Sequence, residues 1–211
     1  MTARPFRMER DMSKNESHPQ PAPRSHAILR GGALALALIA LDAGAAQNLT
    51  ITYYDVQGGN LQELRASLNA RGPVGKDGAR HHGHVDWHVG WNYDYAPRGV
   101  GCRIGKLRVD VKATMLLPRW TGVDTAPASL QEEWERYSQA LRVHEDGHAA
   151  HADQAAEEIQ RRFAAVGGGM RCTQLGEELN RIGQAVLDDY AARDKQYDET
   201  TEHGATQGAR L

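Results

Sequence analysis

Apolar positions recur every second residue in the first half of this chain and every third or fourth residue in the second half. That pattern predicts strands followed by helices. Leu49 to Val56 is β-branched and aromatic and reads as a strand. Gly58-Gly59 turns the chain into a helix over Leu61 to Ala70, with Leu61, Leu64 and Leu68 on one face, and Gly72-Pro73 ends it. From Val85 to Tyr95 the alternation is strict. Val85, Trp87, Val89, Trp91, Tyr93 and Tyr95 share one face while His88, Asn92 and Asp94 take the other, as in a half-buried antiparallel strand. After a turn at Pro97 to Gly101, Cys102 to Leu117 predicts one or two further strands, terminated by Pro118.

From Ser129 the period becomes helical. Ser129-x-x-Glu132 has the form of a capping box. The stripe that follows runs Leu130, Trp134, Tyr137, Leu141, His144, His148, Ala155, Ile159 and Phe163, and Gly167-Gly168-Gly169 stops the helix. A second helix is expected over about Gln174 to Lys195, burying Leu175, Leu179, Ile182, Val186 and Tyr190. Gln196 to Leu211 reads as a polar tail. The expected class is α+β: one domain, residues 47–211, with a short, mostly antiparallel sheet packed on a long helix and a second C-terminal helix.

The first 46 residues do not fit this pattern. An arginine-containing polar stretch precedes the apolar run Gly31 to Leu41, which leads to the small residues Ala43 and Ala45; this is the form of a secretory signal peptide cut after Ala45 or Ala46. The run is shorter than the roughly 20 residues that a membrane span requires, so no stable membrane insertion is expected once the signal is removed. Export gives meaning to the cysteines. Cys102 and Cys172 are the two in the chain, and in an oxidising compartment one disulfide is expected. It would stabilise the fold by roughly 3–4 kcal/mol in the chain-entropy model. A net charge of −2, without a basic stripe or acidic block, implies neither a nucleic acid nor a charged membrane surface as partner.

The chemistry concentrates in His144-Glu145-Asp146-Gly147-His148. On a helix, histidines at i and i+4 stand above one another, so both can reach one zinc ion while the intervening glutamate acts on a water. Both histidines also fall on the core-facing stripe, where an imidazole needs a partner. Catalytic zinc normally takes three protein ligands. His151 lies roughly 10 Å along the axis from His144 and reads as a flanking group, and Gln154 occupies the place where a longer histidine motif would have its last ligand. The residues leave two sources open for the third ligand: Glu177 or Glu178 on the second helix, or His203 in the segment Tyr197-Asp198-Glu199-Thr200-Thr201-Glu202-His203-Gly204. His81, His82, His84 and His88 are expected on a loop and a solvated strand face, with no catalytic role.

Several segments together resemble a bacterial family, domain of unknown function 922, described as predicted secreted zinc-dependent proteases. They are Tyr53-Tyr54-x-Val56-x-Gly58, the Cys102 strand ending in Leu117-Pro118-x-Trp120, Trp134 ahead of the histidine motif, and Tyr197-Asp198-x-x-Thr201-x-His203-Gly204. The resemblance implies a zincin-like peptidase and favours His203 as third ligand. On that reading zinc is held by His144, His148 and His203, Glu145 is the general base, and Tyr197 stabilises the oxyanion, while Asp198 could orient a ligand imidazole. The expected partner is a peptide or protein substrate. The alternatives are a zinc amidase acting on cell-wall peptide and a non-catalytic exported binding domain.

Overall fold

A computed structural model describes residues 46–75 and 78–211, with side chains from Leu49 onward. The expected signal peptide lies outside the described residues except for Ala46, which opens the first strand. The elements are β1 (Ala46–Val56), α1 (Leu61–Arg71), β2 (His84–Arg98), β3 (Gly101–Trp120), α2 (Ala128–Ala164) and α3 (Cys172–Thr201). The class is α+β.

The three strands lie in the order β1-β3-β2. The sheet is mixed: β2 runs antiparallel to β3, and β1 runs parallel to it. Its helix-facing side carries Val85, Trp87 and Val89 from β2 and Val109, Val111, Ala113, Met115 and Leu117 from β3, all buried, while Asp86, His88, Arg108, Lys112 and Thr114 are exposed on the other side. The alternation read from the sequence thus selects the face that α2 and α3 cover. In α2 every residue of the predicted stripe is buried, from Leu130 to Phe163.

The expected turn at Pro97 to Gly101 shrinks to Gly99-Val100, because Pro97 and Arg98 pair with Cys102 and Gly101. Three further boundaries differ from the sequence reading, each for a physical reason. Cys102 to Leu117 forms one long strand, and Pro118 lies inside it. Pairing with β2 begins at His84 opposite Leu116, so Pro118, though paired with Tyr54 of β1, lies where β3 has an open edge on the β2 side, a position that tolerates proline. Ser129 caps nothing, because the helix already begins at Ala128 behind Pro127, with no side-chain cap bond. Most consequential is α3, which does not stop at Lys195 but continues to Thr201. Its last turns bury Asp194 and Thr201, positions that an apolar pattern cannot register.

Cys102 and Cys172 form a disulfide with Cα atoms 5.1 Å apart, tying the start of β3 to the start of α3 across 70 residues. The backbone reinforces the join, since Cys102 N–H donates to Met170 O at 2.9 Å and Gly169 N–H donates to Cys102 O at 2.8 Å.

Candidate metal centre

The site lies at the other end of α3 from the disulfide, where its last turns cross the middle of α2. His144, Glu145 and His148 are all buried. The two imidazoles meet edge to face with centroids 4.9 Å apart. Both Nε2 atoms converge on one carboxylate oxygen: Asp198 Oδ1 lies 3.2 Å from that of His144 and 3.0 Å from that of His148.

Each ring is held from behind by its other nitrogen. His148 Nδ1 is 3.1 Å from Asp194 Oδ1, and His144 Nδ1 is 3.0 Å from Gln207 Oε1. Asp194 is a buried hub, because Trp87 Nε1–H on β2 donates to its Oδ2 at 2.6 Å and His151 Nδ1 sits 2.5 Å from its Oδ1. Asp194 and Asp198 are four residues apart on α3, so one helical face presents both carboxylates to the histidines, which are four apart on α2.

These groups perturb one another's protonation. Burial alone would lower the His148 pKa, but bonds to Asp194 and Asp198 outweigh it and push it up to about 10. Burial favours the neutral form of Asp198, yet the hydrogen bonds from His144 and His148 hold its carboxyl well below the usual carboxylate range. Burial pushes the Glu145 carboxyl up to about 7 against the opposing pull of the two histidines.

The donor set suits a cation. His144, His148 and Asp198 offer ligand atoms within 4.8 Å of one another. His148, His151 and Asp194 form a second such group, but there the carboxylate also accepts the Trp87 N–H and fixes the ring whose Nε2 already faces Asp198. Outer carboxylate partners of this kind commonly set the orientation of a ligating imidazole.

Of the residues nominated from sequence, His144, Glu145 and His148 are brought together. His203 stands beside them, its Nδ1 3.4 Å from Asp198 Oδ1 and its side chain 49% exposed. Tyr197 stacks on His144 with centroids 5.0 Å apart, and its hydroxyl accepts from Gln207 Nε2 at 2.9 Å, toward the Nδ1 side of that ring. Glu177 and Glu178 are not brought to the site. They precede Asp198 by about 20 residues, roughly 30 Å along the helix, and Glu178 pairs with Arg181.

The loop ahead of β2 also reaches the site, which the sequence reading did not anticipate. His81 packs against His203 with ring centroids 4.3 Å apart and the planes tilted by 43°. His82 anchors the loop: its Nδ1 is 2.8 Å from the Tyr137 hydroxyl, its Nε2 2.9 Å from Asn69 Oδ1, and its carbonyl accepts from Tyr54 at 2.8 Å. Burial, then the neighbouring His81, keeps the His82 pKa below its ordinary value. Gly83 is thereby held against the Glu145 carboxylate, so closely that an added Cβ would lie 2.2 Å from its Oε1. His84 and His88 are exposed.

The H-x-x-x-H and D-x-x-x-D spacings are both visible in the sequence, but the expected second helix ends near Lys195, between Asp194 and Asp198, so the second spacing carries no helical signal. No curated protein and no solved structure matches the chain. Residues 51–204, which include every residue of this centre except Gln207, match the family described as "Bacterial protein of unknown function (DUF922)", and the chain belongs to that family.

Proposed function

We propose that the protein is an exported zinc-dependent metallopeptidase with His144, His148 and Asp198 as metal ligands and Glu145 as general base. One observation carries the reading: two buried imidazoles aim their Nε2 atoms at a single carboxylate oxygen while both Nδ1 atoms are held from behind. Two histidines and a carboxylate on two helices are a donor set suited to catalytic zinc, which takes three protein ligands.

Zinc bound there would supply Lewis acidity, bringing the pKa of a water toward roughly 7 and polarising a carbonyl. Glu145, confined by Gly83 beside His144, takes a proton from the attacking water as the new C–O bond forms. It then delivers that proton to the leaving amine as the C–N bond breaks. Tyr197 steadies His144 by stacking, and the half-exposed His203 lies beside Asp198. Asp198 takes the third-ligand role expected of His203, because its Oδ1 lies close to both imidazoles while His203 approaches Asp198 itself. The substrate is a peptide or protein.

Export is supported by the form of the N-terminal segment and by the Cys102–Cys172 bridge, which fits an oxidising compartment. Among the described residues no helix is long and apolar enough to cross a membrane.

Metal analysis of purified variants, paired with cleavage of labelled casein, tests the proposal. Wild type should hold one zinc and cleave casein, His144→Ala and Asp198→Ala should lose the metal, and Glu145→Gln should keep the metal but lose cleavage. Equal zinc in wild type and His144→Ala sinks the metal site. Loss in His203→Ala with retention in Asp198→Ala returns the third-ligand role to His203. Zinc without casein cleavage turns the reading toward a cell-wall amidase if peptidoglycan fragments are cut, and toward a binding domain if they are not.

A further inference from the structure

We propose that Gln207 is a positioning residue for His144, so that the segment Gly204–Leu211 completes the metal site. The inference rests on the metal reading above and assigns a role to a side chain outside the ligand set.

Beyond Thr201 the chain reverses through three successive left-handed residues, Glu202, His203 and Gly204, with φ of 49°, 52° and 83°. Such backbone is strained for residues other than glycine and persists only where its surroundings hold it. At Gly204 the approach is also tight, since an added Cβ would lie 2.9 Å from His144 Cγ. The reversal and the short turn Ala205–Gln207 carry Gln207 back to α2, where its Oε1 meets His144 Nδ1 at 3.0 Å.

The surroundings of that nitrogen are acceptors. Thr201 Oγ1 lies 3.4 Å from it, and the Thr201 hydroxyl proton is committed to Tyr197 O at 2.7 Å. Once a cation takes the place of a proton between His144 Nε2 and Asp198, oxygens on this side hold the ring proton on Nδ1 and leave the Nε2 lone pair to the metal. Gln207 Nε2 donates to the hydroxyl of Tyr197, whose ring covers His144. The segment is fastened independently, because Arg136 donates to Gly208 O at 2.9 Å and to Arg210 O at 2.6 Å, and Arg65 donates to Leu211 O. His148 is therefore oriented by a carboxylate of α3, and His144 by a neutral amide delivered by the segment that follows α3.

Zinc affinity measured by competition with a chromophoric chelator, alongside the visible spectrum of the cobalt-substituted protein, tests the assignment on folded wild type, Gln207→Ala and Gln207→Glu. Gln207→Ala should bind zinc about 10–100-fold more weakly, the usual effect of losing an outer partner, with an altered cobalt spectrum. Gln207→Glu keeps an acceptor at that position and should bind at least as tightly as wild type. If Gln207→Ala does not fold, Arg136→Met loosens the same segment and should show a smaller loss. Wild-type affinity in Gln207→Ala, or in Arg136→Met where that variant stands in for it, overturns the inference alone. So does equal weakening in the alanine and glutamate variants. A wild type that binds no zinc overturns the metal reading and the inference with it.

Discussion

The two halves of α3 use the same buried face in opposite ways. From Cys172 to Tyr190 the face is apolar: Leu175, Leu179, Val186, Leu187 and Tyr190 are buried, and Gly183 admits the Trp91 ring of β2, an added Cβ there meeting it at 2.5 Å. From Ala191 to Thr201 the face is polar, with Asp194 and Thr201 buried and Asp198 between them half-buried. The first half is held by apolar area removed from water, which is non-directional. The second is held by hydrogen bonds, which are directional and leave a costly unpaired group when one partner is lost. A helix can thus continue its burial period while its contacts change from apolar packing to directed polar bonds.

The sharpest way to break this division is Leu179→Ala. It should destabilise the fold by about 2–5 kcal/mol, as for other buried leucine truncations, yet leave the zinc content of the folded protein unchanged. Urea melts with parallel metal analysis check this, and loss of zinc in the folded fraction would show that the halves are not separable.

Asp194→Ala should act in the reverse sense. It strips partners from Trp87 Nε1–H and from the Nδ1 atoms of His148 and His151. A cost of about 1–3 kcal/mol is expected in chelator-treated protein, together with about 10–100-fold weaker zinc binding. A stability loss without an affinity loss would make Asp194 a packing residue like those of the first half.

The smallest effect is expected from Glu178→Ala, in the first half and on the solvent side. Its ion pair with Arg181 is exposed, and such pairs contribute little. Melting temperature and zinc content should both match wild type, whereas loss of zinc would restore Glu178 as a ligand.

Legibility in the sequence followed the same division. The strand alternation from Val85 to Val89, the α2 stripe and the apolar half of α3 are repetitive patterns of burial, and each places residues on the face where the structure buries them, with Ile182 partly buried at the edge of that face. The Cys102–Cys172 pair is legible because two cysteines allow one intramolecular partner. The end of α3 was lost where its buried positions became aspartate and threonine, which in sequence look like a solvated tail. Pro118 and Ser129 misled for a related reason. Each is a local signal whose meaning depends on a neighbour, the extent of β2 in one case and Pro127 in the other.

By itself, then, the sequence determined that His144 and His148 stand together beside Glu145, because helical spacing alone puts the two histidines on one face. Tertiary structure decided what meets them. Asp194, Asp198 and Gln207 lie 43 to 63 positions away from their histidine partners on α2, and His203 meets Asp198 and the distant His81. Only the crossing of α3 over α2, and the left-handed reversal after Thr201, bring them within hydrogen-bonding distance. A periodicity reports which face of an element is buried; it carries no information about which polar group waits on the other side.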